Sequence, residues 1–95
     1  MRISTPELKQ LKNTILSLKP EAKVYLFGSR VHDDQRGGDI DILILTEHKL
    51  TFAELSTIRW AFYEKFGEQK LDLVNFCFDD DDPFKTIALR EAKEI

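Results

Sequence analysis

Leu26-Phe27-Gly28-Ser29-Arg30 and Asp39-Ile40-Asp41-Ile42-Leu43-Ile44-Leu45 decide how the rest of the chain is read, with nine residues separating Ser29 from Asp39. The first stretch reads as a strand that breaks into a turn at a glycine. The second reads as a strand with two carboxylates at its start. Successive strand residues point to opposite faces, so Asp39 and Asp41 point the same way, with Cα atoms roughly 6.5–7 Å apart. Two ionised carboxylates that close repel each other and resist burial. A divalent metal is the usual neutralising partner. The glycine-serine turn supplies backbone N–H groups that can cradle phosphate. Together the two halves suggest a site for a metal and a nucleoside triphosphate.

This constellation resembles the minimal nucleotidyltransferases of the DNA polymerase β superfamily. Their pattern is glycine-serine after a first strand, a spacer, Asp-x-Asp on a second strand, and a third Asp on a later strand. Here these are Gly28-Ser29, Asp39-Ile40-Asp41, and Asp72 within Lys70-Leu71-Asp72-Leu73-Val74. The resemblance covers nearly the whole chain, and it rests on the ordered set, since either short motif alone is weak. Family members often carry Ala-Arg-Gly after Gly-Ser-Arg and a serine before the first Asp. This chain has Val31-His32-Asp33 and Gly38 there, with a spacer shorter by one residue. The departures imply weak activity or an altered nucleotide choice, because an arginine is absent and Asp33 adds negative charge near the phosphates.

Ninety-five residues are expected to form one domain, residues 1–95, with a single hydrophobic core. The chain is 42% hydrophobic and 33% charged, an ordinary globular balance. No apolar run approaches the ~20 residues that span a membrane. Met1-Arg2-Ile3-Ser4-Thr5-Pro6 lacks the hydrophobic region of a signal peptide. The single cysteine, Cys77, cannot form an internal disulfide, which fits a cytoplasmic location. A net charge of −3 argues against a general nucleic-acid binder, which normally has a basic footprint.

Ser4 and Glu7 have the spacing of a capping box, with Pro6 in the first turn of the helix they open. Leu8, Leu11, Ile15 and Leu18 then give one apolar stripe, and Pro20 ends the helix. Ala22 to Phe27 reads as a strand closed by Gly28. Ile40 to Leu45 is apolar on both faces, so this strand should be central and covered on both sides. Thr51 and Glu54 form a second capping box. Its helix runs to Phe66, is stopped by Gly67, and buries an arc of Phe52, Leu55, Ile58, Phe62 and Phe66. Trp60 falls off that arc, as an interface residue or as a cover under a neighbouring loop. Lys70 to Phe78 is the third strand, with Asp72, Val74 and Phe76 on one face. Asp79 to Asp82 before Pro83 read as a solvated helix start. Phe84, Ile87, Ala88 and Ile95 give the last helix its apolar side. The expected fold class is α/β (α+β): a small mixed sheet of about three or more strands with helices packed on it. The resemblance makes this the polymerase β-like nucleotidyltransferase fold.

The resemblance assigns Asp39, Asp41 and Asp72 as catalytic residues and as ligands of two Mg²⁺ ions, with Mn²⁺ as the alternative. Gly28, Ser29 and Arg30 become nucleotide-binding residues. The plain alternatives are a solvated acidic pair for Asp39 and Asp41, an edge-strand charge for Asp72, a tight turn at Gly28 and a surface salt bridge for Arg30. The implied activity is transfer of AMP from ATP to an acceptor hydroxyl with release of pyrophosphate. The implied context is an antitoxin that adenylylates a tyrosine of a HEPN-domain toxin, a partner beside which such proteins often act. A different class of function also fits: a non-catalytic binding module that neutralises its partner by occlusion, with Trp60 at the interface. A subunit of a larger synthetase is a third reading, and homo- and hetero-oligomers both remain open.

Overall fold

The two capping boxes form as their spacing predicts. Ser4 Oγ accepts the Glu7 N–H while Glu7 accepts the Ser4 N–H, which starts helix α1 at Thr5–Leu18. Thr51 and Glu54 do the same for α2 at Phe52–Phe66. Each box satisfies amide donors that the first turn would otherwise leave unpaired. Gly67 ends α2 at φ +87°, a conformation that suits glycine. These elements belong to a computed structural model that describes residues 4–28 and 40–95. Its strands are β1 (Lys23–Phe27), β2 (Ile40–Thr46), β3 (Leu71–Cys77) and β4 (Lys93–Glu94), and a third helix, α3, spans Pro83–Glu91. No helix among the described residues is long and apolar enough to cross a membrane.

The four strands form one mixed sheet in the order β3-β2-β1-β4. β1 runs antiparallel to β2 and β4, whereas β2 and β3 are parallel and joined through α2. An α+β arrangement with a mixed sheet is thus the fold, as expected. Strand β2 is central, and it is buried along both faces from Ile42 to Thr46.

Pleating divides the sheet into two unlike faces. Val24, Leu26, Ile40, Ile42, Ile44 and Leu71 point to one side, where Leu11 and Ile15 of α1 meet Ile58 and Phe62 of α2. This is the main core, and each fully buried aliphatic side chain in it contributes about 1.5–3 kcal/mol. The opposite side carries Phe27, Leu43, Leu45 and Phe76. Phe84 of α3 covers it, with ring centroids 6.2 Å from both Phe27 and Phe76. Helices α1 and α2 therefore take one face and α3 the other.

The outer edge of β3 is closed by side chains rather than by a further strand. In a parallel ladder alternate residues turn their backbone groups to the partner strand, and the Lys70 carbonyl does so by accepting the Ile40 N–H. Leu71, Asn75 and Cys77 then face outward. Arg59 donates to the Leu71 carbonyl at 3.0 Å and Lys49 to the Asn75 carbonyl at 2.9 Å. The Cys77 N–H donates to Asp80 Oδ2, and Lys85 donates to the Cys77 carbonyl. Such capping blunts the edge against pairing with another chain.

Three expectations need correction. Phe52 is not part of the buried arc of α2 but is 85% exposed. It is the first helical residue, with no earlier turn to shelter it, and at 100° per residue it lies about 40° beyond Phe66. The last helix does not reach Ile95. It ends at Glu91, Ala92 turns extended at φ −73° and ψ 151°, and Ile95 N–H bonds the Val24 carbonyl at 2.9 Å. The intervening β4 was unreadable because it has two residues, both charged and exposed. Finally, Phe84 and Ile87 are not a buried apolar side of α3: they stay 47% and 61% exposed, and of that set Ala88 is the buried member.

Candidate functional site

The end of β1, the start of β2 and the start of β3 lie side by side. Phe27 is the register partner of Asp41, and Asp41 is the register partner of Asp72. Adjacent strands are about 4.7–4.9 Å apart, and directly paired residues point to the same face. Asp41 and Asp72 therefore stand as neighbours on the α3 side of the sheet, both half-buried. Two like charges in this position need a cation or strong donors to be held there cheaply.

Gly28 follows β1 directly and adopts φ +77°. An added Cβ would overlap Asp41 Oδ2 and lie 3.1 Å from Asp41 Cγ. Glycine is thus required twice, for the left-handed backbone and for the space that the Asp41 carboxylate occupies. The turn and the acidic strand form one steric unit.

Asp72 lies on β3, which is an edge strand, so the alternative of an edge charge is met in position. Its alignment with Asp41 is what distinguishes it from an isolated surface acid. The remaining expected site residues, Ser29, Arg30 and Asp39, lie outside the described residues, as do Val31-His32-Asp33 and Gly38.

The acidic run after β3 forms a helix entry. Asp82 caps α3 by accepting the Phe84 N–H at 2.8 Å, and Asp80 accepts the Cys77 N–H at 2.8 Å. Inside this loop Lys85, only 8% exposed, donates to the carbonyls of Cys77, Phe78 and Asp80 at 3.0, 2.7 and 2.8 Å. Cys77, Asp79 and Asp80 offer ligand atoms within 4.8 Å of one another, so this group too could hold a metal. However, the Lys85 ammonium already sits on the loop's carbonyl oxygens, and Asp80 is committed to an amide. The loop is explained by helix entry, and Lys85 supplies the positive charge there.

Several contributors escaped the sequence reading. Asn75 donates to the Ile44 carbonyl and Thr46 Oγ1, and accepts the Leu50 N–H at 2.7 Å, tying β2 and β3 to the approach to α2. Lys85 shares a helix face with the buried Ala88 three residues on, but its charge reads as a surface residue. Phe27 and Phe76, on the same strand face as the two acids, signalled that the face needs a cover. Trp60 is 61% exposed and packs edge-to-face on Tyr63 at 5.6 Å.

Between the Gly28 turn and α3 lies a cavity of about 150 Å³ lined by Phe27, Gly28, Phe84, Ile87, Ala88 and Glu91. A larger apolar cleft of about 330 Å³, between α1 and the residues after α3, is lined by none of the expected site residues.

A family model described as "Polymerase beta, Nucleotidyltransferase" matches residues 9–95. The chain is also 30% identical over 81 residues to a Haemophilus influenzae protein named "Probable protein adenylyltransferase MntA". That match covers 84% of this chain and 71% of the relative.

Proposed function

Because the chain belongs to the polymerase β nucleotidyltransferase family, we propose that it transfers AMP from ATP to an acceptor hydroxyl, with residues 1–95 acting as one minimal nucleotidyltransferase domain. The observation that carries this reading is the steric unit of Gly28 and Asp41, with Asp72 aligned beside it. It joins a glycine at the end of one strand to two carboxylates on the neighbouring strands. The residues fit divalent ions: hard carboxylate oxygens from adjacent strand starts are the donor set that Mg²⁺ and Mn²⁺ take.

Asp39, Asp41 and Asp72 are the residues that would hold these ions. When bound, the metal supplies charge neutralisation at the triphosphate and lowers the pKa of the attacking oxygen. The chain's own contribution is positional. Strands β2 and β3 fix the Asp41 and Asp72 carboxylates, and Gly28 leaves the room that the Asp41 carboxylate occupies. Ser29 donates its N–H and hydroxyl to phosphate oxygens, and Arg30 adds a guanidinium. The acceptor oxygen attacks the α-phosphorus, a new O–P bond forms, and the bond to the β-phosphate bridge breaks. Pyrophosphate leaves, and the hydroxyl proton passes to Asp72.

The acceptor in this proposal is a tyrosine hydroxyl of a HEPN-domain toxin in the cytoplasm, and the chain is its antitoxin. The Haemophilus relative, by its name a protein adenylyltransferase, supports a protein acceptor. A neighbouring gene for a small helical protein would provide the test. The two proteins are combined with Mg²⁺ and ATP, and the neighbour is weighed intact by mass spectrometry. The proposal expects a mass gain of AMP on a tyrosine, lost in Asp41→Asn. No gain, with toxicity still neutralised by Asp41→Asn, would establish the binding-module reading. That second reading draws on the exposed aromatic side chains of α2, Phe52 and Trp60.

A further inference from the structure

We infer that the cavity between the Gly28 turn and α3 is the seat of the nucleobase, and that Glu91 favours bases carrying an amino group. The inference rests on the nucleotide reading above and adds the residues that would hold the base. Three observations carry it. First, Gly28 belongs to both places: it lines this cavity and abuts the Asp41 carboxylate. A molecule whose phosphates meet the turn therefore has the cavity next to it.

Second, the size is that of one ring system. Pockets for whole drug-sized ligands run to ~300–1,000 Å³, and this one is about 150 Å³. The charged part of the substrate would lie outside it, by the acids. Third, the lining suits a flat apolar ring with one polar edge. Phe27 and Phe84 sit edge-to-face with centroids 6.2 Å apart, and Ile87 and Ala88 continue the apolar wall. Phe84 and Ile87 are 47% and 61% exposed, and a stacked base would cover both. Among the described lining residues Glu91 supplies the carboxylate, and a carboxylate can only accept hydrogen bonds. Adenine, guanine and cytosine each present an amino donor. Uracil presents one N–H between two carbonyl oxygens, which face a carboxylate unfavourably.

Calorimetric titration of Mg²⁺–ATP, Mg²⁺–UTP and Mg²⁺–tripolyphosphate into the wild type, Ile87→Ala and Glu91→Gln tests this. Both side chains are solvent-exposed, so the variants are expected to fold, and thermal melts confirm it. Base stacking and its polar contact should make ATP bind about tenfold or more tightly than tripolyphosphate. Ile87→Ala should weaken ATP about threefold to tenfold while leaving tripolyphosphate unchanged. Glu91→Gln should narrow the preference for ATP over UTP. Equal affinity for ATP and tripolyphosphate in the wild type would overturn the inference and spare the phosphate site. So would equal weakening of both by Ile87→Ala. If neither ligand binds the wild type, the nucleotide reading fails and the base pocket falls with it.

Discussion

Gly28→Ala and Gly67→Ala form a matched pair that isolates the contact at the centre of the site. Both glycines have positive φ, +77° and +87°. Alanine at such a positive φ costs roughly 1–3 kcal/mol, and Gly67, with ψ 162°, lies in a region essentially reserved for glycine. The surroundings differ completely. A Cβ at Gly67 meets nothing within 4 Å, whereas one at Gly28 overlaps the Asp41 carboxylate. Gly67→Ala should therefore lose about 1–3 kcal/mol of backbone strain and nothing more. For a domain of this size, that lowers Tm by about 4–8 °C for each kcal/mol. Gly28→Ala should lose the same amount plus the displacement of Asp41 from its place beside Asp72. Thermal melts read the shared backbone cost, and calorimetric titration with Mg²⁺–ATP reads the site. Gly67→Ala should bind nucleotide as the wild type does, and Gly28→Ala should not bind. Equal binding by the two folded variants would refute the claim that the turn and the acidic strand act as one unit.

Three further outcomes follow from the same geometry. Asp72→Asn removes one of two aligned like charges, so it should leave Tm unchanged or slightly raised without metal while abolishing nucleotidyl transfer; a large fall in Tm would mean that Asp72 is structural. Lys85→Met strips three part-buried carbonyls of their donor and should cost about 1.5–3 kcal/mol in urea denaturation. The Glu54 carboxyl is held below the usual carboxylate range, chiefly by the hydrogen bond from the Thr51 backbone; desolvation offsets part of this, and the Lys19 charge adds a smaller lowering. A carboxyl lowered in the native state stabilises fully above its unfolded pKa, and that contribution is lost as pH falls through the lowered native value. The stability gap between wild type and Glu54→Gln should therefore be open at neutral pH and close in acid, as urea midpoints across pH 3–7 would record.

Local signals in the sequence reached far in this chain. Both capping boxes are complete within four residues, so Ser4, Glu7, Thr51 and Glu54 could be read without tertiary information. The unbroken apolar run from Ile42 to Leu45 identified a central strand because only burial on both faces tolerates it. The two acids were legible as exceptions on apolar strands, and their alignment in the parallel register is what the fold adds. What stayed hidden depends on distant contacts. Strand β4 is defined by its pairing with Tyr25 and Leu26 rather than by its composition. Phe52 has the right residue type for a core, but its place at the helix start leaves it exposed. Lys85 reads as a surface lysine until the loop of Cys77, Phe78 and Asp80 folds over it.

The most direct test of the central claim is equilibrium dialysis of ATP against the wild type and the Asp41→Asn/Asp72→Asn variant, each with Mg²⁺ and with chelator. The account predicts that the wild type binds ATP only when Mg²⁺ is present, and that the folded double variant does not bind under either condition. Retention of ATP by the double variant, or binding by the wild type that is indifferent to the chelator, would contradict it.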